Sequence, residues 1–316
     1  MATRPLVGLA LGGGVMRAMA HIGVLKVLKE AGIPIDMVAG TSAGSIVAAL
    51  YASGHSPERI EEIALELRSN DLFDYGSIYL NLLLIAGDVI SRVLHLPYPL
   101  RSPLGLMRGN RIETLVNKHV GRNRLFGQTE IPLGITAVDV RDGTLVVFLE
   151  GLPAPYEAHS FMAVNTPEEL RRVIPPADEF VKGFSIALAV RASVAIPGIF
   201  EPVRFGERIL VDGGVRENVP AYVLRRMGAD FVIAVDVGYG GRGVAKVGNI
   251  FKLLTQSFEI VISEGINLKL EGCADVEIRP IINADPWDIT RARHFIRQGE
   301  LAATEVLDDI KRKLYN

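Results

Sequence analysis

An α/β fold with a mainly parallel central sheet is what three features of this sequence predict. Apolar β-type runs alternate with helix-length runs through the first half of the chain, the pattern of parallel strands joined by crossover helices. Two of those β-type runs end in glycine-rich turns, Gly12-Gly13-Gly14 and Gly40-Thr41-Ser42-Ala43-Gly44. Two long amphipathic stretches close the chain, as a sheet covered on both faces requires. The 316 residues could hold one large domain or two small ones. Without a repeat, a low-complexity tract or a clear linker, the reading is one domain over 1–316.

In order, residues 6–11 read as a strand, Gly12 to Gly14 as a loop and residues 18–31 as a helix. On that helix Lys26, Lys29 and Glu30 share one face and His21, Leu25 and Leu28 another, and Gly32 then Pro34 end it. Residues 36–39 form the second strand, 43–52 a helix, and 57–67 another with Ser56 as N-cap. The pattern turns irregular and proline-bearing over 71–110, a candidate lid or insertion. Within it, residues 78–96 are apolar, but Asn81, Asp88 and Arg92 interrupt them before the roughly 20 residues a spanning helix needs. This stretch is expected to be a buried helix or an apolar lid over a lipid-binding cleft.

Further strands are expected at 133–138, 145–149, 208–211, 231–237 and 276–279, with 152–176 rich in loops. Val247, Ile250, Phe251, Leu254, Phe258, Val261 and Ile262 mark a long amphipathic helix. Ala292, Ile296, Ala303, Val306, Ile310 and Leu314 mark another. Both are expected to cover the core rather than form coiled coils.

Composition removes several classes of function. Hydrophobic residues at 49% and charged residues at 22% suit a globular protein and exclude a disordered or fibrous one. A net charge of −2, from 34 basic and 36 acidic residues, gives no field to gather phosphate backbones, so nucleic acid is not an expected partner. Cys273 is the single cysteine, so there is no internal disulfide, nothing suggests a thiolate metal site, and the default location is cytoplasmic. Arg4, the run at 6–11 and Ala18-Met19-Ala20 imitate a signal peptide. The apolar core is too short, and Arg17 would sit just before the cut.

Chemistry concentrates at three places. Gly40-Thr41-Ser42-Ala43-Gly44, between a β-type run and a helix, reads as a nucleophile elbow. So sharp a turn lifts the serine above the sheet and sets it at a helix N-terminus, where free N–H groups favour developing negative charge. The same residues could be a helix start with Ser42 as a simple cap. Gly12-Gly13-Gly14, with Arg17 beyond, presents bare backbone N–H groups to an anion, either a phosphate or the oxyanion of acyl transfer. It fits neither the dinucleotide fingerprint nor the Walker arrangement, and an ordinary tight βα turn is its other reading. Asp212-Gly213-Gly214 puts a carboxylate at the end of a strand, where α/β sites assemble, although Asp-Gly is also an ordinary turn pair.

A serine nucleophile needs a base. His294 is the only histidine after Asp212, and it falls with Arg291, Arg297 and Gln298 on the polar side of the last helix, where it is expected to face solvent. His21 reads as a packed core histidine. The residues therefore favour a Ser–Asp dyad in which Asp212 itself takes the seryl proton.

Together the N-terminal glycine loop with its basic residue, the G-x-S-x-G elbow and the distant D-G-G resemble the patatin-like phospholipase family. The likeness extends through His21-Ile22-Gly23-Val24-Leu25 and from Ala192-Ser193-Val194-Ala195-Ile196-Pro197-Gly198 to Asn218-Val219-Pro220. It implies a three-layer α/β/α fold, a Ser42–Asp212 dyad, Gly13 and Gly14 as oxyanion-hole donors, no metal or other cofactor, and an acyl-lipid or ester substrate met at most by transient contact with a membrane surface. Gly12, Arg17, Gly40, Gly44, Gly213 and Gly214 support the motifs. Val15 and Ala18 depart from the family's glycines, and a β-branched Val15 is expected to resist positive φ. The expected function is lipid acyl hydrolysis of phospholipase A or lysophospholipase type through an acyl-enzyme. Two other readings stay open: a non-catalytic or regulatory acyl-lipid-binding protein on the same fold, which Val15 favours, and a His294-dependent hydrolase.

Overall fold

A computed structural model describes residues 4–97, 100, 102–149, 179–238, 248 and 250–315. The expected loop-rich segment at 152–176 lies outside them. In chain order the elements are β1 (Val7–Leu11), α1 (Ala20–Glu30), β2 (Met37–Gly40), α2 (Ala43–Ala52), α3 (Pro57–Glu66), α4 (Ser69–Leu72), α5 (Ile78–Val93), β3 (Gly105–Met107), α6 (Asn110–Val120), β4 (Leu133–Asp139) and β5 (Leu145–Phe148). Then follow β6 (Glu179–Val181), α7 (Ile186–Ser193), β7 (Gly198–Phe200), β8 (Val203–Phe205), β9 (Arg208–Asp212), α8 (Ala221–Met227), β10 (Phe231–Val235), α9 (Ile250–Leu270), β11 (Val276–Ile278) and α10 (Ala292–Tyr315). The expected first helix begins as a 3-10 turn at Val15–Met19 before it becomes α1.

The central sheet runs β11-β10-β1-β2-β4-β5-β6, with β9 and β8 added beside β4. From β11 to β4 every pairing is parallel, while β4 meets β5 and β9 antiparallel. Because neighbouring residues of a strand point to opposite faces, each strand divides between two cores. Leu9 and Leu11 of β1, Val38 of β2 and Ile233 of β10 pack on one side with α1, α2 and α10. Ala10, Ala39 and Ala234 pack on the other with α8 and the end of α9. The result is a three-layer α/β/α fold with a mainly parallel sheet.

Two helices depart from expectation. The stretch expected to be a buried helix or an apolar lid, α5, is not buried: it turns Tyr79, Leu83 and Val93 outward and keeps Asn81 and Ser91 inside. The expected core-covering helix α9 covers the core only at its C-terminal end, through Ile266 and Leu270, while Leu254, Phe258 and Val261 are exposed. By contrast, α10 buries Ala292, Ile296, Ala303, Ile310 and Leu314 as its pattern requires.

Candidate active site

Strand β2 ends at Gly40, and Ser42 follows with φ of 51°, a left-handed conformation unusual for a side chain other than glycine. Helix α2 begins at the next residue. The flanking glycines exist because there is no room for anything larger: a Cβ on Gly44 would lie 2.3 Å from the Leu11 carbonyl oxygen, and one on Gly40 would lie 2.6 Å from Cα of Ser45. Ser42 closes the turn by accepting at its carbonyl from Ser45 N–H at 2.9 Å and Ser45 Oγ–H at 2.5 Å.

Asp212 reaches this turn through the register of the sheet. Strand β4 pairs with β2 up to Ile135, then with β9 from Ala137, which is opposite Asp212. Antiparallel β9 thereby takes up β4 just where β2 leaves it for the elbow. Thr136 lies between the two pairings, and its hydroxyl is 2.7 Å from that of Thr41. Since Thr41 donates its one proton to the Glu217 carbonyl, Thr136 is the donor in that pair.

Ser42 Oγ–H donates to Asp212 Oδ2 at 2.6 Å, and Asp212 Oδ1 accepts from Gly214 N–H at 2.7 Å. Both side chains are buried. Burial pushes the Asp212 carboxyl up from 3.8 to about 6, against the opposing pull of its hydrogen bonds from Ser42 and Gly214. A group of that pKa is largely ionised at neutral pH and still basic enough to take a proton. Among the described residues no histidine hydrogen-bonds to either Ser42 or Asp212. His294 sits on α10, half-buried rather than solvent-facing. His21 is fully buried, its Nε2–H donates to the Gly12 carbonyl at 2.7 Å, and burial lowers its pKa to about 4, which keeps it neutral.

The glycine loop crosses directly over the serine: a Cβ on Gly13 would meet Cβ of Ser42 at 2.9 Å. Gly12 N–H donates to Val235 O at 3.0 Å, and Gly13 N–H donates to Asn218 O at 3.1 Å. Gly13, one of the two expected anion donors, thus has its N–H already engaged in anchoring the loop. The N–H groups of Gly14 and Val15 have no partner among the described residues. Val15 takes φ of 54° in spite of its branched side chain, a conformation that costs roughly 1–2 kcal/mol and is held by packing of Val15 against the core. Arg17 is not free to meet an anion, since it is buried and ion-paired to Glu259 at 2.6 Å.

Three contributors escaped the reading of motifs. Ser193 Oγ accepts from Ser42 N–H at 2.8 Å, Thr136 supports Thr41, and Asn218 holds the glycine loop. Ser193 and Asn218 both stand in segments that resemble the family, so the signal was present, but their polar contacts are long-range and follow from topology alone.

A pocket of about 100 Å³ opens beside Ser42. Its wall is almost wholly apolar, built from Val15 and Met19 near the loop, Ile46 of α2, Ile63 of α3, and Phe73 and Trp287 together. The two rings lie 6.2 Å apart. Such a wall offers nothing to a phosphate and suits a hydrocarbon chain.

The family model described as patatin-like phospholipase matches residues 9–225, a span that includes both Ser42 and Asp212. Lysophospholipase NTE1 of Debaryomyces hansenii is 31% identical over 235 residues, covering 73% of this chain and 12% of that protein. Patatin-like phospholipase domain-containing protein 6 of Homo sapiens is 30% identical over 234 residues, covering 73% of this chain and 13% of that protein. An uncharacterized NTE family protein of Mycobacterium bovis is 30% identical over 242 residues, covering 77% of this chain and 52% of that protein. The chain therefore spans a small part of the length of the first two relatives and about half of the third.

Proposed function

The chain belongs to the patatin-like phospholipase family, and from that premise we propose that it is a serine hydrolase of lipid acyl esters, of phospholipase A or lysophospholipase type. The observation that carries this reading is the 2.6 Å hydrogen bond from Ser42, which lines an apolar pocket, to a buried Asp212. As the ester carbonyl approaches, Asp212 Oδ2 takes the proton of Ser42 Oγ, and the oxygen attacks the carbonyl carbon. Negative charge gathers on the carbonyl oxygen, where the unpartnered N–H groups of Gly14 and Val15 receive it, with Gly13 acting as their anchor rather than as a donor.

Collapse of the tetrahedral intermediate breaks the ester C–O bond, and Asp212 returns its proton to the departing alcohol oxygen. Water then enters, loses a proton to Asp212 and attacks the acyl-enzyme. Ser42 Oγ recovers that proton as the fatty acid leaves. The second carboxylate oxygen stays fixed by Gly214 N–H throughout, so the aspartate keeps the orientation a histidine would otherwise need a partner to hold.

The test is hydrolysis of p-nitrophenyl butyrate and lysophosphatidylcholine, with EDTA present, by the wild-type protein and three variants. Ser42→Ala and Asp212→Asn are expected to lose at least about 1,000-fold in turnover, as removal of a nucleophile or its base does. His294→Ala is expected to keep full activity. Loss of activity in His294→Ala would return the histidine-dependent reading, and an inactive wild type would favour a lipid-binding protein.

A further inference from the structure

Helix α5 is built inside out. A helix on a globular protein normally buries its apolar stripe and wets its polar one. Here Tyr79 is 82% exposed and Leu83 71%, with Leu80, Val89, Ile90 and Val93 also outward, whereas Asn81 and Ser91 are only 8% and 7% exposed. The inward polar groups are satisfied: Asn81 Nδ2 donates to the carbonyls of Gly105 and Leu106, and Ser91 Oγ donates to that of Leu96. Asn81 thus ties the inward face to β3, while the Ser91 bond closes the helix's own C-terminal turn, and the apolar side is left for an outside apolar medium.

A second helix has the same character. On α9, Leu254 and Phe258 are exposed and Val261 is 72% exposed. Each of these helices is tied to residues that line the Ser42 pocket. Phe73, a pocket residue, stands five positions before α5 begins. Glu259 of α9 holds Arg17, whose neighbour Met16 also lines the pocket. Among the described residues no helix is long and apolar enough to cross a membrane.

We infer that the exposed faces of α5 and α9 are an interfacial surface that seats in the headgroup and upper acyl region of a lipid bilayer, so that a chain passes from lipid into the pocket. The inference rests on the proposed hydrolase in one respect, the use of the pocket. A bilayer is favoured over a second copy of the chain because both helices connect to residues that line the apolar pocket, Phe73 ahead of α5 and Met16 beside the Arg17 held by α9, and a lipid surface is where a substrate of the proposed hydrolase resides. Binding of this kind scales with apolar area placed in the interface.

Co-sedimentation with phosphatidylcholine vesicles tests it, using the wild-type protein, Leu83→Glu/Ile90→Glu on α5 and Val261→Glu on α9. All three positions are exposed, so the substitutions place charge in water in the free protein, and circular dichroism checks that each variant is folded. The wild type is expected to sediment with vesicles, and the α5 double variant to lose at least about tenfold in partition, the equivalent of about one buried leucine. Val261→Glu should lose in the same direction. Hydrolysis of vesicle-borne lipid should fall in step, while that of soluble p-nitrophenyl butyrate stays unchanged. Vesicle binding lost in the variants, with no ester hydrolysed by any protein, would uphold the surface and remove the hydrolase reading. A wild type that stays in the supernatant, or a double variant that binds equally well, would overturn the inference. So would light scattering that finds a dimer without vesicles, dissociated by Leu83→Glu/Ile90→Glu.

Discussion

At the scale of single residues, Asp212 sets the proposed chemistry through a conflict between burial and ionisation. Its carboxyl must be charged to take the seryl proton, and burial holds its pKa at about 6. Turnover of a soluble ester should therefore fall with a single-proton slope as pH drops below about 6, and a profile flat to pH 5 would contradict this. The same shift acts on stability with the opposite sign. Because the folded protein holds the Asp212 proton more tightly than the unfolded chain, the group's contribution is fully present below about pH 4 and is lost as pH rises through 6. The difference between 3.8 and about 6 corresponds to roughly 3 kcal/mol at ~1.4 kcal/mol per unit. Asp212→Asn, which no longer ionises, should thus gain up to that amount over the wild type at pH 8 and little at pH 4, measured by urea unfolding. That stability is given up at the residue proposed as the base, a pairing common at active sites.

At the scale of elements, close backbone approach decides what the helices tolerate. Helices α1 and α10 cross at Gly23 and Gly299, where an added Cβ would stand 2.0 Å from the Ile296 carbonyl oxygen and 1.8 Å from that of Ala20. Lys26 of α1 fastens the crossing with ion pairs to Glu61 of α3 at 2.9 Å and Glu300 of α10 at 2.8 Å. Gly23→Ala and Gly299→Ala should each destabilise by roughly 1–3 kcal/mol or more through forced separation. The double variant should cost less than the sum, because one displacement relieves both clashes. Additive losses in thermal unfolding would show that the two sites are independent. Element type was legible wherever period and burial agreed, as in α2, found over the expected residues 43–52, and in α10. For α5 the period was legible and the orientation was not. Asn81, which read as an interruption of an apolar run, is the residue that faces the protein, so the assumption that apolar means inside inverted the helix. Strands β3, β6, β7 and β8, of three residues each, went unread, whereas the equally short β11 fell within the expected run 276–279.

At the scale of the whole molecule, topology joins residues 170 positions apart in sequence, Ser42 and Asp212, by exchanging β2 for β9 along one edge of β4. The two motifs were readable separately, since an elbow and a strand-ending Asp-Gly each have a local signature. Their pairing was readable through the lack of a suitable histidine and through resemblance, and their 2.6 Å contact was not, because strand order and the antiparallel entry of β9 leave no local trace. That Gly13 N–H, expected to be free for an oxyanion, is already engaged was hidden for the same reason. Asn218 O, which engages Gly13 N–H, arrives from a segment 205 residues away. Covalent labelling with a fluorophosphonate, followed by peptide mass spectrometry, tests the dyad most directly. The reagent reacts with an activated serine and needs no knowledge of the substrate. Rapid modification of Ser42 is expected in the wild type, with labelling slowed at least about 1,000-fold in Asp212→Asn. An unlabelled wild type, or equal labelling without Asp212, would contradict the dyad.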